Sequence, residues 1–157
     1  MADGAGGVVS GPARLLGYAG LLPQAALLLL ILGLHDPTGI VHGMAFFYAA
    51  LIFSFIGGIW WGFAMRSGSD QGRIATMAVL PSLFGALLIL LSIAHILPLG
   101  LALVLMGSAV IMTLLIDRRL VDAGCAPGGW MALRVPLSIG LGGLTILCGI
   151  VCSLSVS

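Results

Sequence analysis

The sequence predicts an all-α integral membrane protein, a bundle of five transmembrane helices with its N-terminus inside and its C-terminus outside. Composition predicts the class. Of 157 residues, 61% are hydrophobic and 7% are charged, and the mean hydropathy is +1.25. Soluble domains carry about 25% charged residues because their surface faces water. The surface of this chain is therefore expected to face lipid.

Long uncharged stretches give the number of helices. A bilayer core about 30 Å thick is crossed by about 20 apolar helical residues. Four stretches without charge occur, at 15–34, 44–65, 74–116 and 135–156. The third would be roughly 64 Å long as one helix, so it is expected to fold back. Pro98 marks the turn, because proline lacks an N–H and suits the start of a helix.

The predicted organisation is a flexible cytoplasmic tail at 1–14 and a five-helix transmembrane domain at 15–157. Backbone groups in lipid must be satisfied internally, which favours helices over other structure. The predicted helices lie near residues 15–34, 44–65, 74–94, 98–116 and 135–155.

Arginine placement predicts the orientation. With five spans, one side of the membrane receives the N-terminal tail and the segments near 66–73 and 117–134. All six arginines fall there: Arg14, Arg66, Arg73, Arg118, Arg119 and Arg134. Cytoplasmic segments are enriched in arginine and lysine, so this side is predicted to be cytoplasmic.

The second predicted helix carries small residues at every fourth position: Ala50, Ser54, Gly58 and Gly62. Such a series, which contains a GxxxG pair, leaves a groove that lets another backbone approach closely. We interpret it as a helix-packing face, toward a helix of this chain or of another chain. Trp60 is expected on the opposite face, toward lipid, and Thr145, Gly149 and Ser153 repeat the pattern more weakly.

Polar residues within the predicted spans are few. Ionisable side chains are expected only at helix ends and in loops, with Asp117 at an interfacial helix end beside Arg118 and Arg119. Ionisable residues inside the membrane commonly mark transport, so their predicted scarcity argues against an ion pump. Gln24, just after Pro23, is the candidate for a polar path.

No metal or cofactor site is predicted. His35, His42 and His95 fall on the predicted outer side, and whether they bind anything stays open, because their spacing matches no metal signature. Cys148 and Cys152 are interpreted as small core residues. Neither a nucleophile–base arrangement nor a phosphate loop is visible, and a net charge of +1 does not point to nucleic acid.

Several blocks resemble an uncharacterised multi-pass membrane family, a domain of unknown function that includes transmembrane protein 69 and its bacterial relatives. The blocks are 16–23, 54–64 and 79–83, and the similarity continues through Asp117 and the segment 130–136. The block Ser-Phe-Ile-Gly-Gly-Ile-Trp-Trp-Gly is the most specific. The resemblance implies a small helical protein of the bacterial or mitochondrial inner membrane and brings no activity.

Two functions remain as hypotheses. The favoured one is a non-catalytic helix-packing protein, an accessory or assembly component of a membrane complex. The alternative is a small carrier or channel for a neutral or weakly polar solute; an enzyme is the third and least favoured. The predicted partners are the lipid bilayer and either another membrane protein or a second copy of the chain.

Overall fold

A computed structural model describes residues 10–33, 39–68 and 70–155, and these residues form six helices. The helices are α1 (Gly11–Ala19), α2 (Leu22–Gly33), α3 (Ile40–Arg66), α4 (Gln71–Ile93), α5 (Leu99–Asp122) and α6 (Trp130–Ser155). Together α1 and α2 make the first span, so five segments are long and apolar enough to cross a membrane. The predicted number of spans is confirmed.

The first span is interrupted at Gly20 and Leu21. Pro23 has no N–H to give to the carbonyl of Ala19, and its ring crowds that carbonyl, which favours a kink or a break in the helix here. The hydroxyl of Tyr48 on α3 donates a hydrogen bond to the Gly20 carbonyl. The break is thus stabilised from a neighbouring helix.

Helix α1 begins at Gly11, four residues before residue 15, where the first span was predicted to begin. Ser10 caps it, since its hydroxyl accepts a hydrogen bond from the Ala13 N–H at 3.4 Å. Pro12 lies in the first turn, where a missing N–H does no harm. Residues 1–9 of the predicted tail lie outside the described residues.

Helices α5 and α6 make the most extensive contact of the bundle. Two pairs of glycines face each other across it, Gly107 with Gly142 and Gly100 with Gly149. A Cβ built on Gly107 would stand 2.5 Å from the Gly142 carbonyl oxygen, and one on Gly149 would stand 2.6 Å from that of Gly100. These backbones touch because no side chain separates them. The weaker small-residue pattern of the last span therefore packs inside the chain at Gly149.

Helices α3 and α4 form the second large contact. Gly57 makes it close, because a Cβ there would lie 2.4 Å from the Ala78 carbonyl oxygen. The main apolar core lies between α2, α3, α4, α5 and α6 and includes Phe46, Phe53, Leu103 and Met106. A smaller cluster around Ile56 and Trp60 lies toward the ends of α3 and α5.

The last two helices extend past the uncharged stretches. Helix α5 continues through Asp117 to Asp122 and ends where Gly124 adopts a φ of +70°, which favours glycine. Helix α6 begins at Trp130 rather than near 135, so Pro136 lies inside it. The predicted helices ended beside Asp117 and Arg134 because both residues are charged. The structure includes both in helices, where their side chains form an ion pair.

Arginines gather at one end of the bundle, where α1, α4 and α6 begin and α3 and α5 end. Five of the six are exposed, but Arg134 is buried. Large apolar side chains cover the exterior between the two ends, among them Leu51, Leu90 and Leu115. An exterior of this kind suits lipid rather than water.

Candidate functional site

The carboxylate of Asp117 lies at the centre of a buried polar cluster near the arginine-rich end. Asp117 itself is 0% exposed. Its Oδ1 accepts hydrogen bonds from the indole N–H of Trp60 at 2.9 Å and from that of Trp130 at 3.1 Å. Its Oδ2 accepts from Nε of Arg134 at 2.8 Å. One carboxylate thus joins α3, α5 and α6.

Arg134 completes the cluster. Its Nη2 donates to the Thr113 hydroxyl at 3.1 Å, and that hydroxyl donates to the Val110 carbonyl at 2.6 Å. The guanidinium carbon lies 5.9 Å from the centre of the Trp130 ring, within reach of a cation–π interaction. Phe63 packs edge-on against the same ring, with centroids 5.4 Å apart.

The two charges of the cluster balance each other, and the carboxylate is fully hydrogen-bonded. A carboxylate and a guanidinium in contact leave no net charge, and three charge-assisted or indole hydrogen bonds satisfy the carboxylate. A buried charge with this many donors is suited to holding helices together rather than to exchanging protons or ions.

Two sequence-based expectations are wrong here. Asp117 is not at a helix end, because α5 continues to Asp122, and its side chain is buried between helices with that of Arg134. Trp60 does not face lipid, since it is 1% exposed and bonded to Asp117. The pairing of residues 17 positions apart on two helices, with an indole 57 positions away, has no local sequence signal.

An apolar cavity of about 430 Å³ adjoins the cluster, bounded by α1, α3 and α6. Leu16 and Phe55 stand at its rim and are exposed, whereas Arg134 and Ser138 line it from the buried side. The Ser138 hydroxyl has no hydrogen-bond partner among the described residues, although the residue is 2% exposed. The break between α1 and α2 contributes Gly20 and Leu21 to the wall.

A family model described as a protein of unknown function (DUF3429) matches residues 9–151. The match covers the two glycine contacts, the Asp117 cluster and the cavity. The chain belongs to the DUF3429 family. No curated protein and no solved structure matches it significantly.

In this DUF3429 protein, Gln24 lies inside the bundle rather than along the cavity. Its amide nitrogen donates to the Thr145 hydroxyl on α6 at 3.0 Å, and the hydroxyl donates to the Leu141 carbonyl at 2.7 Å. The amide oxygen has no partner among the described residues. Gln24 thus links α2 to α6, and its predicted role in a polar path stays a prediction.

The small-residue series of α3 divides between two directions. Ala50 is buried, and the Ser54 hydroxyl lies 2.8 Å from that of Ser82 on α4. Gly58 and Gly62 are exposed, and a Cβ on either would meet no atom of the described chain within 4 Å. Within the described chain, the glycine that α4 approaches is Gly57, one position along.

The histidines are spread over different environments. His42 is buried in the first turn of α3, and His95 is exposed in the turn after α4, with a φ of +56°. His35 lies outside the described residues. Within residues 10–33, 39–68 and 70–155, no group of three or more histidine, cysteine or acidic residues could hold a metal ion.

Proposed function

We propose that the protein is a non-catalytic component of a membrane complex, which packs against a helix of another membrane protein. The observation that carries this proposal is the outward position of Gly58 and Gly62 on α3. Close helix packing in lipid depends on small residues, because acyl chains are as apolar as leucine. Phe55 and Trp61, both exposed, lie on either side of the two glycines and border the space above them.

The interior supports the same proposal. Asp117 and Arg134 neutralise each other; two indoles also donate to the carboxylate, and the guanidinium also donates to the Thr113 hydroxyl. Breaking such a pair to bind a substrate would expose an uncompensated charge, at a cost of about 3–5 kcal/mol. A rigid bundle with an open packing face suits assembly better than chemistry.

The alternative is a carrier or channel for a neutral solute. Such a function needs polar groups that succeed one another along a route through the bundle. Gln24 instead contacts Thr145 between α2 and α6, away from the cavity that Ser138 lines. This separation favours the packing function.

The proposal includes a location and a relationship. The exposed arginines at one end of the bundle support an orientation with the N-terminus in the cytoplasm and the C-terminus outside. We place the protein in the bacterial inner membrane, or in the mitochondrial inner membrane if the source is eukaryotic. The sequence blocks at 16–23 and 54–64 support kinship with transmembrane protein 69.

Site-specific photo-crosslinking in native membranes tests the proposal. A photoreactive residue at Gly62 is expected to give one discrete adduct with another membrane protein. The matched control is the same residue at Leu115, which is 60% exposed on α5 and should react with lipid alone. Adducts of equal yield and variety from both positions would count against the proposal.

A further inference from the structure

The cavity between α1, α3 and α6 combines apolar walls with one polar end. The exposed Leu16 and Phe55 place its mouth on the side of the bundle, which faces the acyl chains when the helices span a membrane. A ligand would therefore enter from the bilayer. Its volume of about 430 Å³ is near the lower end of ligand pockets, which run from about 300 to 1,000 Å³.

The buried end offers a hydrogen bond that the described chain does not use. Ser138 is 2% exposed, and its hydroxyl has no partner among the described residues. A buried polar group without a partner is unfavourable, so one that lines a cavity points to a ligand atom or an ordered water. Arg134 lines the same end.

Charge selects the head group. The guanidinium of Arg134 is already balanced by Asp117 at 2.8 Å, so the polar end has no net positive charge to offer an anion. An anionic head would also lie near the carboxylate of Asp117 and be repelled by it. An uncharged acceptor, such as an ester carbonyl, can accept from the Ser138 hydroxyl without that repulsion.

We propose that this cavity binds one single-chain lipid with an uncharged carbonyl in its head, the carbonyl at Ser138 and the chain along α1 toward Leu16. The size of the cavity admits one chain rather than a whole two-chain lipid. The break between α1 and α2 shapes the site, since Gly20 and Leu21 form part of its wall. This site adjoins the packing face at Gly58 and Gly62, because Phe55 stands at its rim and also flanks the two glycines.

Photolabelling of the purified full-length protein in nanodiscs tests the site. The probe is a monoacylglycerol with a diazirine in its chain, and labelled peptides are mapped by mass spectrometry. Labels are expected in the segments that contain Leu16 and Leu137. Unlabelled monoacylglycerol should compete at least tenfold better than either a hydrocarbon of equal chain length or the corresponding ionised fatty acid.

Two variants with matched controls sharpen the test. Ser138→Ala should lower labelling about fivefold to tenfold, because the carbonyl loses its donor, while thermal stability stays the same or rises. Ser108→Ala is the control, since that hydroxyl donates to the Val104 carbonyl. Ala13→Phe should fill the cavity and abolish labelling, whereas Ala19→Phe on the same helix should not, because Ala13 lines the cavity and Ala19 does not.

Labelling that survives Ala13→Phe, or that falls equally with Ala19→Phe, would overturn the proposed site. Equal competition by the hydrocarbon, or unchanged labelling of Ser138→Ala, would overturn the role of the carbonyl. Stronger competition by the ionised fatty acid would overturn the choice of an uncharged head.

Discussion

At the scale of single residues, the hydrogen bonds of Asp117 make the clearest demands on the sequence. Two indoles and one guanidinium donate to its two oxygens, all within 3.1 Å. Without Asp117, each of these donors would lose its hydrogen-bond acceptor. The loss of one member leaves the others buried and unsatisfied, which is more damaging than the loss of a surface pair.

Asp117→Asn is expected to destabilise the protein by about 3–5 kcal/mol, because the charge of Arg134 stays buried without its partner. Asp122→Asn, at the exposed end of the same helix, is the matched control and should change stability by less than about 0.5 kcal/mol. The measurement is reversible unfolding in mixed micelles. The double variant Asp117→Asn/Arg134→Gln should recover part of the loss; a strictly additive double variant would show that the two residues are not coupled.

Trp60 and Trp61 are neighbours with opposite environments, at 1% and 47% exposure. Trp60→Leu should cost about 2–4 kcal/mol, since it removes a buried ring and one donor to Asp117. Trp61→Leu should cost less than about 1 kcal/mol, because leucine suits lipid as well. Thermal melts of the two variants at equal expression check this, and a greater loss with Trp61→Leu would contradict the burial of Trp60.

At the scale of helices, glycine position decides which helices touch. Gly57→Ala should destabilise the bundle by about 1–3 kcal/mol, because its Cβ would lie 2.4 Å from a backbone oxygen of α4 that cannot rotate away. Gly58→Ala should be neutral, or stabilise by up to about 1 kcal/mol, because alanine favours helix and nothing in the described chain obstructs it. Unfolding of both variants in the same micelles is the measurement, and equal losses would disprove the assigned faces.

The sequence predicts the membrane-spanning helices well because each one requires about 20 consecutive apolar residues, which is a strong signal. The five spans and the turn before Pro98 follow from length and from one missing N–H. The sequence does not show which face of each helix packs inward. A spacing of four shows that Ala50, Ser54, Gly58 and Gly62 lie along one side of α3, but not whether that side looks inward. The neighbouring Gly57, which has no partner in that spacing, makes the internal contact.

The candidate site was harder still to predict. Asp117, Trp60 and Arg134 belong to three helices and meet only after the bundle has formed. Taken alone, Asp117 is typical of an interfacial helix end and Trp60 of a face turned toward lipid. One signal is present: Asp117 directly follows one long uncharged stretch, and Arg134 directly precedes another. Their charges are opposite, and pairing lowers the free-energy cost of burying both.

At the scale of the whole molecule, five exposed arginines lie at one end of the bundle and predict its orientation. In a Cys125→Ala background, a cysteine at Ala123 should react with a membrane-impermeant thiol reagent only in inverted vesicles. A cysteine at Ile96, which is 71% exposed near the other end, should react only from outside. Cys148 and Cys152 are buried and should stay unlabelled. Labelling of position 123 from outside would reverse the orientation.

We propose that the outward face of α3 joins this bundle to another membrane protein. The mass of the complex after purification in a mild detergent, measured for the natural protein and for Gly58→Leu, tests this proposal. The natural protein should carry a second membrane protein in fixed proportion. Gly58→Leu should lose that partner and yet remain folded as a helical bundle, because a Cβ at Gly58 would meet no atom of the described chain within 4 Å. A natural protein that purifies as a single chain or as copies of itself, or a Gly58→Leu variant that keeps the partner, would contradict the claim.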